Sequence, residues 1–396
     1  MRARAGGVCG SAAVPLATAT TGGHTLQALP MIATRPARPS LSDPLPLAHG
    51  PALPNRLMLA PLTNMQSHAD GTLSDAELHW LLLRAQGGFG LTMTAAAHVQ
   101  AGGQGFAGQL GSGSDLHLPG LARLAQGIRA AGSVSSLQLQ HSGRRSDPAL
   151  TGLPKVGPWD DAETGARALS TAEVEQLVED FILAALRAER AGFDGVEVHG
   201  AHGYLLCAFL DAEHNQRGDR YGGSFENRSR ILFEIVEGIR RRAGPHFQIG
   251  LRISPERYGI PLAEARRLAG EMLAGGQLDY LDLSLWDVFK PPLEAGPASQ
   301  PLIAHFSDLP RGATRLGVAG KLMDAARAQA CLDAGADFVL VGRGAILHHD
   351  FARRAIADPG FCAVPRPVSR AHLQAQGVGP AFMAYLAGTW PNFIAD

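Results

Sequence analysis

The sequence has little of several residue types that mark particular kinds of protein. Its 396 residues include only four cysteines, which are far apart and form no CxxC pair or cysteine–histidine cluster. This spacing argues against zinc and iron–sulphur sites and favours a reducing compartment, so we predict a cytoplasmic protein without metal. Lysine occurs at only three positions. A Schiff-base aldolase needs a buried lysine at a strand end, and Lys321 is the one lysine that keeps this alternative open.

Excess charge and long apolar runs are also missing. The formal net charge is −1, which gives no electrostatic reason to expect nucleic acid or an anionic membrane as the main partner. No apolar run reaches the roughly 20 residues that span a bilayer. With 45% hydrophobic and 18% charged residues, the composition is that of a globular protein with a large core.

Residues 1–40 differ from the rest of the chain. They are rich in Ala, Thr, Gly and Pro and show no amphipathic period, so they could bury little surface. The stretch 8–21 faintly resembles a secretion signal, but Pro15 and several threonines interrupt its apolar part. We therefore expect a disordered extension or a leader, with Met31 as an alternative start of the protein.

From Pro51 onward, strand-like and helix-like segments alternate. Strands are predicted at 55–60, 90–97, 134–140, the run from 195, 248–253, 280–285, 316–319 and 338–341. Helices are predicted at 75–86, 118–131, 171–191, 226–242, 262–274, 324–334 and 345–357, with only a short apolar piece at 302–306 after the sixth strand. Ser170 and Glu173 form the pattern of a capping box at the start of the third helix.

Eight strands, each followed by a helical return, predict an α/β fold of the (β/α)8 TIM-barrel type over residues 41–364. An open doubly wound sheet is the alternative. It is weakened because the first strand ends in Ala60, Pro61, Leu62 and Thr63 instead of a GxGxxG turn. Residues 365–396 form an aromatic-bearing tail that we expect to pack on the barrel or across a subunit contact.

The fourth predicted strand runs into His199, His202 and Tyr204 within one turn. Parallel α/β folds keep their chemistry at such strand ends. Two histidines three residues apart, followed by a tyrosine, favour a catalytic group over a structural one. A metal site formed by the two histidines with Glu197 is the alternative, but no other strand end offers a clear further ligand.

Other strand ends carry glycines and arginines. Turns at 317–320 and at Gly342, the latter followed by Arg343, have the pattern of a barrel phosphate site, although glycines also simply turn a chain. Arg252 ends an apolar strand and needs an anion there. That anion is either a structural carboxylate, such as Glu197 on the neighbouring strand, or a cofactor ring that becomes negative when it is reduced. Gln138 offers an amide at the same barrel mouth.

These residues carry a resemblance to a known family. The run 199–206, continued by 215–228, resembles the signature of the old yellow enzyme family, and 55–61, Gln138, 141–144, Arg252 and 342–343 match as well. The matching pieces span residues 55–361. The resemblance is closest to the bacterial, thermophilic-like branch. It implies FMN on a (β/α)8 barrel, with NADPH or NADH as the reductant and an α,β-unsaturated carbonyl compound as the small-molecule substrate.

The resemblance also implies a role for each matching residue. The FMN ring and phosphate would be held by Ala60, Pro61, Leu62, Thr63, Ala96, Gln138, Arg252, Gly320, Gly342 and Arg343. His199 and His202 would bind the substrate carbonyl, and hydride would come from flavin N5 with the proton from Tyr204. A flavin-binding barrel with little turnover is the alternative. The branch also implies a homo-oligomer in which a neighbouring subunit completes the site.

Two positions depart from the closest branch. Thr63 stands where that branch has a flavin-tuning cysteine, so thiol-based regulation is not expected. Met65 replaces an expected aromatic residue on the substrate side and predicts a more deformable wall. Trp286 and Tyr258, on loops after the sixth and fifth strands, are interpreted equally well as lid contacts or as packing.

Overall fold

The computed structural model describes residues 38–294, 296 and 298–395. The extension predicted at 1–40 therefore lies outside the described residues except at its last three positions. Eight parallel strands form the main sheet. They are β1 (Leu57–Leu59), β2 (Leu91–Met93), β3 (Val134–Gln140), β4 (Gly195–Gly200), β5 (Gln248–Ile253), β6 (Tyr280–Ser284), β7 (Arg315–Ala319) and β8 (Phe338–Val341). The pairs β8–β1 and β2–β3 complete the ring, so the predicted closed barrel is confirmed and the open sheet is excluded.

Helices return the chain between the strands. They are α1 (Asp75–Gln86), α2 (Leu118–Ala130), α3 (Thr171–Arg190), α4 (Phe225–Arg242), α5 (Leu262–Ala274), α6 (Ala304–Ser307), α7 (Ala325–Asp333) and α8 (Phe351–Ala357). Shorter helices lie at Pro148–Thr151, Leu205–Phe209, Arg343–Leu347, Arg370–Ala375 and Pro380–Thr389, and short strands at Ala97–His98, Val156–Gly157 and Arg167–Ala168. The predicted capping box of α3 is present, with Ser170 and Glu173 each bonding the other's backbone N–H. Within the described residues, no helix is long and apolar enough to cross a membrane.

Two predicted elements are interrupted. The prediction of one strand over 90–97 is wrong, because β2 ends at Met93 and the Thr94 hydroxyl accepts the Gln138 N–H at 3.2 Å. The prediction of one helix over 345–357 is also wrong. The chain becomes extended at His348, whose ring Nε2 accepts the Val364 N–H at 3.0 Å, and α8 starts only at Phe351.

The barrel separates two apolar cores. A large outer core lies between strands and helices, whereas a small inner one fills the barrel with side chains that include Met58, Met93, Phe338 and Leu340. Gly317 makes room inside, because a Cβ there would lie 2.0 Å from the Phe338 ring. At the amino-terminal end, Leu45 and Leu53 pair as an antiparallel bridge and belong to the same inner core, so this end is closed.

The tail packs on its own barrel. Phe382 meets Trp80 of α1 edge to face, with ring centroids 5.5 Å apart. The buried Arg84 of α1 donates to the Gln376 carbonyl at 2.7 Å. Phe382 and Phe393 are fully buried. Of the two packing modes expected for residues 365–396, the intramolecular one is therefore present, and a subunit contact stays a prediction.

Candidate active site

Two adjoining cavities open at the carboxyl ends of the barrel strands. The larger has a volume of about 570 Å³ and the smaller about 200 Å³. The larger one brings together the predicted residues Thr63, Ala96, Gln138, His199 and Tyr204. The smaller one brings together Ala60, Gly320 and Gly342. Both are lined by Pro61, Leu62, His202, Arg252 and Arg343. The strand-end residues named from the sequence thus lie around one continuous site.

His199 and His202 form a directed chain of hydrogen bonds. The Ala201 N–H donates to His199 Nδ1 at 3.3 Å, so the His199 proton is on Nε2. His199 Nε2 then donates to His202 Nδ1 at 3.2 Å, and His202 Nε2 donates to the Ser284 hydroxyl at 2.7 Å. The Ser254 hydroxyl accepts the His202 N–H at 3.0 Å and holds a left-handed backbone with φ of 63°.

Both imidazoles are neutral. Burial, together with the positive charges of Arg252 and Arg145, lowers the pKa of His202 to about 3. Burial also lowers the pKa of His199 well below its usual range, with His202 and the two arginines adding to the effect. A neutral imidazole still carries one N–H donor. The pair can therefore donate hydrogen bonds to a ligand oxygen across the neutral pH range.

Tyr204 caps the helix Leu205–Phe209 directly after the histidine loop. Its ring lies 5.3 Å from the His199 ring between centroids, and the Arg145 guanidinium lies 5.2 Å above its face. His141, in the stretch 141–144 that matches the resembled family, supports the loop: its carbonyl accepts the Leu205 N–H at 3.1 Å. Its ring Nδ1 accepts the Gly143 N–H at 2.9 Å. Tyr204 is thus fixed at its backbone, while its ring borders the larger cavity.

A polar cluster lies inside the barrel beneath the cavity. Gln138 Nε2 donates to Glu197 Oε1 at 2.7 Å, and Arg252 Nε lies 2.8 Å from Asp282 Oδ2. Arg252 therefore has a structural carboxylate partner on a neighbouring strand, but that partner is Asp282 and not the expected Glu197: Arg252 faces Asp282 in the β5–β6 register, and Glu197 faces Gly250. Burial raises the pKa of both Glu197 and Asp282, and the Asp282 charge raises that of Glu197 further.

The smaller cavity fits the phosphate end of FMN. Arg343 is half-buried, and burial together with the nearby Arg366 charge lowers its pKa. No carboxylate of the described residues lies within 4.0 Å of it. Gly320 lets the chain pass closely, because a Cβ there would lie 2.9 Å from the Asp287 backbone nitrogen. An unpaired guanidinium beside a close glycine turn is a suitable phosphate site.

Two sequence-based candidates lie differently from their expected roles. Met65, expected at the substrate wall, lines neither cavity. Its backbone is left-handed with φ of 55°, and a Cβ at Gly108 would lie 2.4 Å from its carbonyl oxygen. Lys321 is 59% exposed and pairs with Asp287 at 3.1 Å. This environment lacks the burial that a Schiff-base lysine needs, so the aldolase alternative loses its support.

Sequence reasoning missed several residues that line the site. Ser284 is the last residue of β6 and bonds to His202, and no local pattern reveals that contact. Tyr385, Trp390 and Arg366 of the tail line the larger cavity. The aromatic residues of the tail predicted that it packs, but the sequence did not indicate which surface it would cover. Trp286 lines both cavities and is 47% exposed.

The described residues contain no group of three His, Cys, Asp or Glu side chains placed to hold a metal ion. The two histidines instead bond to each other and to Ser284.

Tyr258, the other loop aromatic, packs against Gly203. A Cβ at Gly203 would lie 2.8 Å from the Tyr258 ring.

Comparison with known proteins shows what this chain is similar to. The model of the NADH:flavin oxidoreductase / NADH oxidase family matches residues 40–358. The chain is 36% identical over 316 residues to the probable NADH-dependent flavin oxidoreductase YqiG of Bacillus subtilis (strain 168), covering 76% of this chain and 84% of that protein. It is 32% identical over 327 residues to NADPH dehydrogenase of the same organism, covering 80% and 94%. The structure of morphinone reductase superposes with a TM-score of 0.70 at 30% identity, covering 85% and 93%.

Proposed function

The chain belongs to the NADH:flavin oxidoreductase / NADH oxidase family, and from that premise we propose that it reduces the activated C=C bond of α,β-unsaturated carbonyl compounds. The resemblance to the old yellow enzyme family is confirmed, and the protein is an NAD(P)H-dependent oxidoreductase that uses FMN. The observation that carries the proposed reaction is the pair of neutral imidazoles beside Tyr204 at the rim of the larger cavity.

We assign the FMN contacts to residues that line the two adjoining cavities. Gly320, Gly342 and Arg343 would hold the phosphate, and Ala60, Pro61, Leu62, Thr63 and Ala96 would line the ring. Gln138 and Arg252 would face its polar edge, where the buried Arg252 supplies positive charge. Bound FMN supplies hydride transfer between the nicotinamide reductant and the alkene.

The histidine pair would orient and polarise the acceptor. A carbonyl oxygen that enters the cavity competes for the Nε2 proton that His202 donates to Ser284. His199 also carries its proton on Nε2, because its Nδ1 accepts from the Ala201 N–H; it donates this proton to His202 Nδ1, so the carbonyl oxygen must compete for it as well. Two pre-positioned donors stabilise negative charge on that oxygen, and removing one such donor from an enzyme typically costs about 3 kcal/mol of transition-state stabilisation.

Tyr204 would deliver the proton to the α-carbon as the general acid. Replacing Tyr204→Phe removes the donor and keeps the ring, so we expect the rate of alkene reduction to fall about 100-fold. Stopped-flow mixing separates the two half-reactions. Reduction of the enzyme by NADPH should stay within about twofold of the unsubstituted protein, since Tyr204 has no role in that step.

Tyr258→Phe is the matched control, because Tyr258 packs against the same loop and is assigned no proton transfer. It should leave both half-reactions unchanged. The proposal fails if cyclohexenone and maleimide do not reoxidise the NADPH-reduced protein. That result would favour the alternative of a flavin-binding barrel with little turnover.

Two further proposals concern location and assembly. The described cysteines are unpaired, which supports a reducing compartment such as the cytoplasm. We also propose a homo-oligomer, as in the resembled branch. In this chain Tyr385 and Trp390 of its own tail already line the cavity. Light scattering at micromolar concentration tests the assembly, and a monomer would contradict it.

A further inference from the structure

Every charged side chain that lines the two cavities is a cation. Arg252, Lys321, Arg343 and Arg366 line them, and no Asp or Glu of the described part of the chain does. Because the net charge of the whole chain is only −1, this positive charge is a local property. Arg252 and Lys321 have carboxylate partners at 2.8 and 3.1 Å. Arg343 is assigned to the phosphate of the smaller cavity, and Arg366, which lies near it, lines the larger cavity only.

Two more arginines lie near the mouth, each against an aromatic side chain of the larger cavity, and have no such explanation. Neither lines the two cavities itself, and Arg257 also lines a separate surface pocket with Glu256 and Glu294. The Arg145 guanidinium lies 5.2 Å from the centroid of the Tyr204 ring, and that of Arg257 lies 4.8 Å from the centroid of the Trp286 ring. Both arginines are exposed. Neither guanidinium makes a hydrogen bond or ion pair with any described residue, whereas Arg144 beside Arg145 pairs with Asp161 at 2.8 Å.

The two arginines lie near the same loop, which follows β4 and carries His202 and Tyr204. A Cβ at Gly203 would lie 3.3 Å from Arg145 Nη2 and 2.8 Å from the ring of Tyr258, which follows Arg257 directly. Both rest on aromatic walls of the larger cavity. A guanidinium that lies on a ring is held in orientation, and its edge N–H groups stay available for bidentate contact with an oxyanion.

We propose that Arg145 and Arg257 bind an anionic group carried by the molecule that occupies the larger cavity. This inference rests on the proposed function, since it concerns the ligands of the same site. The anion is an oxyanion recognised in the bidentate mode. It belongs either to the acceptor, as a carboxylate, or to the reductant, as a phosphate, and the two sources are separated by experiment.

The acceptor arm compares two maleimides on the FMN-loaded protein, N-ethylmaleimide and its N-carboxymethyl counterpart. If the anion belongs to the acceptor, Arg145→Gln and Arg257→Gln should each raise the KM of the carboxylated compound about tenfold. The KM of N-ethylmaleimide should change less than twofold. Arg241→Gln is the matched control, because Arg241 is an exposed, unpaired arginine in the last turn of α4.

The reductant arm measures binding without turnover. Calorimetry on the same variants gives the Kd of 2′,5′-ADP and of 5′-AMP, and steady-state kinetics gives the KM of NADPH and NADH. If the anion is a phosphate of the reductant, the 2′,5′-ADP affinity should fall about tenfold in each arginine variant. The ratio of the KM values of the two maleimides should then be the same in the variants as in the unsubstituted protein. A change in either arm, absent from Arg241→Gln, supports the proposal and names the source.

The proposal is overturned if neither arm responds, or if Arg241→Gln responds as strongly as the two mouth variants. Its failure is distinguishable from failure of the proposed function. A protein that reduces neither maleimide refutes alkene reduction, while calorimetry with the adenosine phosphates still decides whether the two arginines bind an anion.

Discussion

The two halves of the barrel interior have opposite chemistry. On the side of β3 to β6, the strands direct Gln138, Glu197, Arg252 and Asp282 inward. On the side of β1, β2, β7 and β8, the interior side chains include Met58, Met93, Phe338 and Leu340. The apolar half fills space and stabilises the barrel. The polar half buries three ionisable groups at a cost in stability, which is expected only where a site above them needs their charge.

The difference also explains the pKa shifts. Arg252 supplies one positive charge against two carboxyl groups, all within the closed interior. A buried net negative charge is unfavourable, so the carboxyl pair retains a proton more readily than carboxyls in water do. This agrees with the raised pKa of Glu197 and of Asp282. The polar half of the interior thus combines the positive charge of Arg252 with two carboxyl groups that keep a proton more readily than they would in water.

The largest effect should come from moving a charge into the apolar half. Met58 is fully buried there, and no cation faces it in the β8–β1–β2 register. We expect Met58→Glu to lower the free energy of unfolding by about 4 kcal/mol or more at pH 7. Urea denaturation followed by tryptophan fluorescence measures it. Met58→Leu should lose less than about 1.5 kcal/mol, and equal stability of both variants would contradict the comparison.

The next largest effect should come from removing the cation of the polar half. Arg252→Met leaves Asp282 and Glu197 without positive charge, so we expect a loss of about 3 kcal/mol at pH 8. The loss should be smaller at pH 5, where the carboxyls are more readily protonated. Denaturation at the two pH values measures the difference.

Arg240→Met is the matched control for that variant. Arg240 pairs with the buried Asp279 at 2.8 Å, but Asp279 also accepts the N–H groups of His49 and Ile249. Its carboxylate therefore keeps partners, and we expect a smaller loss at pH 8. A larger loss than in Arg252→Met would mean that the polar half is not specially sensitive to charge.

The smallest effect should appear as a slope. The pKa of Glu197 is raised in the folded protein, so the unfolded chain ionises first as the pH rises above about 5 and stability falls. Glu197→Gln removes this proton linkage and can still accept from Gln138. We expect its stability to decline less between pH 5 and pH 6, by up to about 1.4 kcal/mol over that one pH unit. Parallel stability curves for the two proteins would show that Glu197 does not hold the proton.

Much of the site was predictable because its residues sit at strand ends. His199, His202 and Arg252 follow buried strands directly, and parallel strands end at one face of a barrel. Local patterns could not predict contacts between distant segments. Ser284 on β6 bonds to His202, which follows β4, so the contact passes over the intervening strand β5. The sheet register places Asp282, and not Glu197, opposite Arg252.

The sequence by itself determined the barrel and the strand-end residues, because alternation of strands and helices is a local, periodic property of the chain. The tertiary structure alone decided what meets across the barrel. It placed the tail residues Tyr385 and Trp390 over the cavity and Arg145 and Arg257 on its aromatic rim. Such contacts join residues that are far apart in the chain. They depend on how the barrel closes and how its helices and loops pack, and the propensity of a single segment does not determine them.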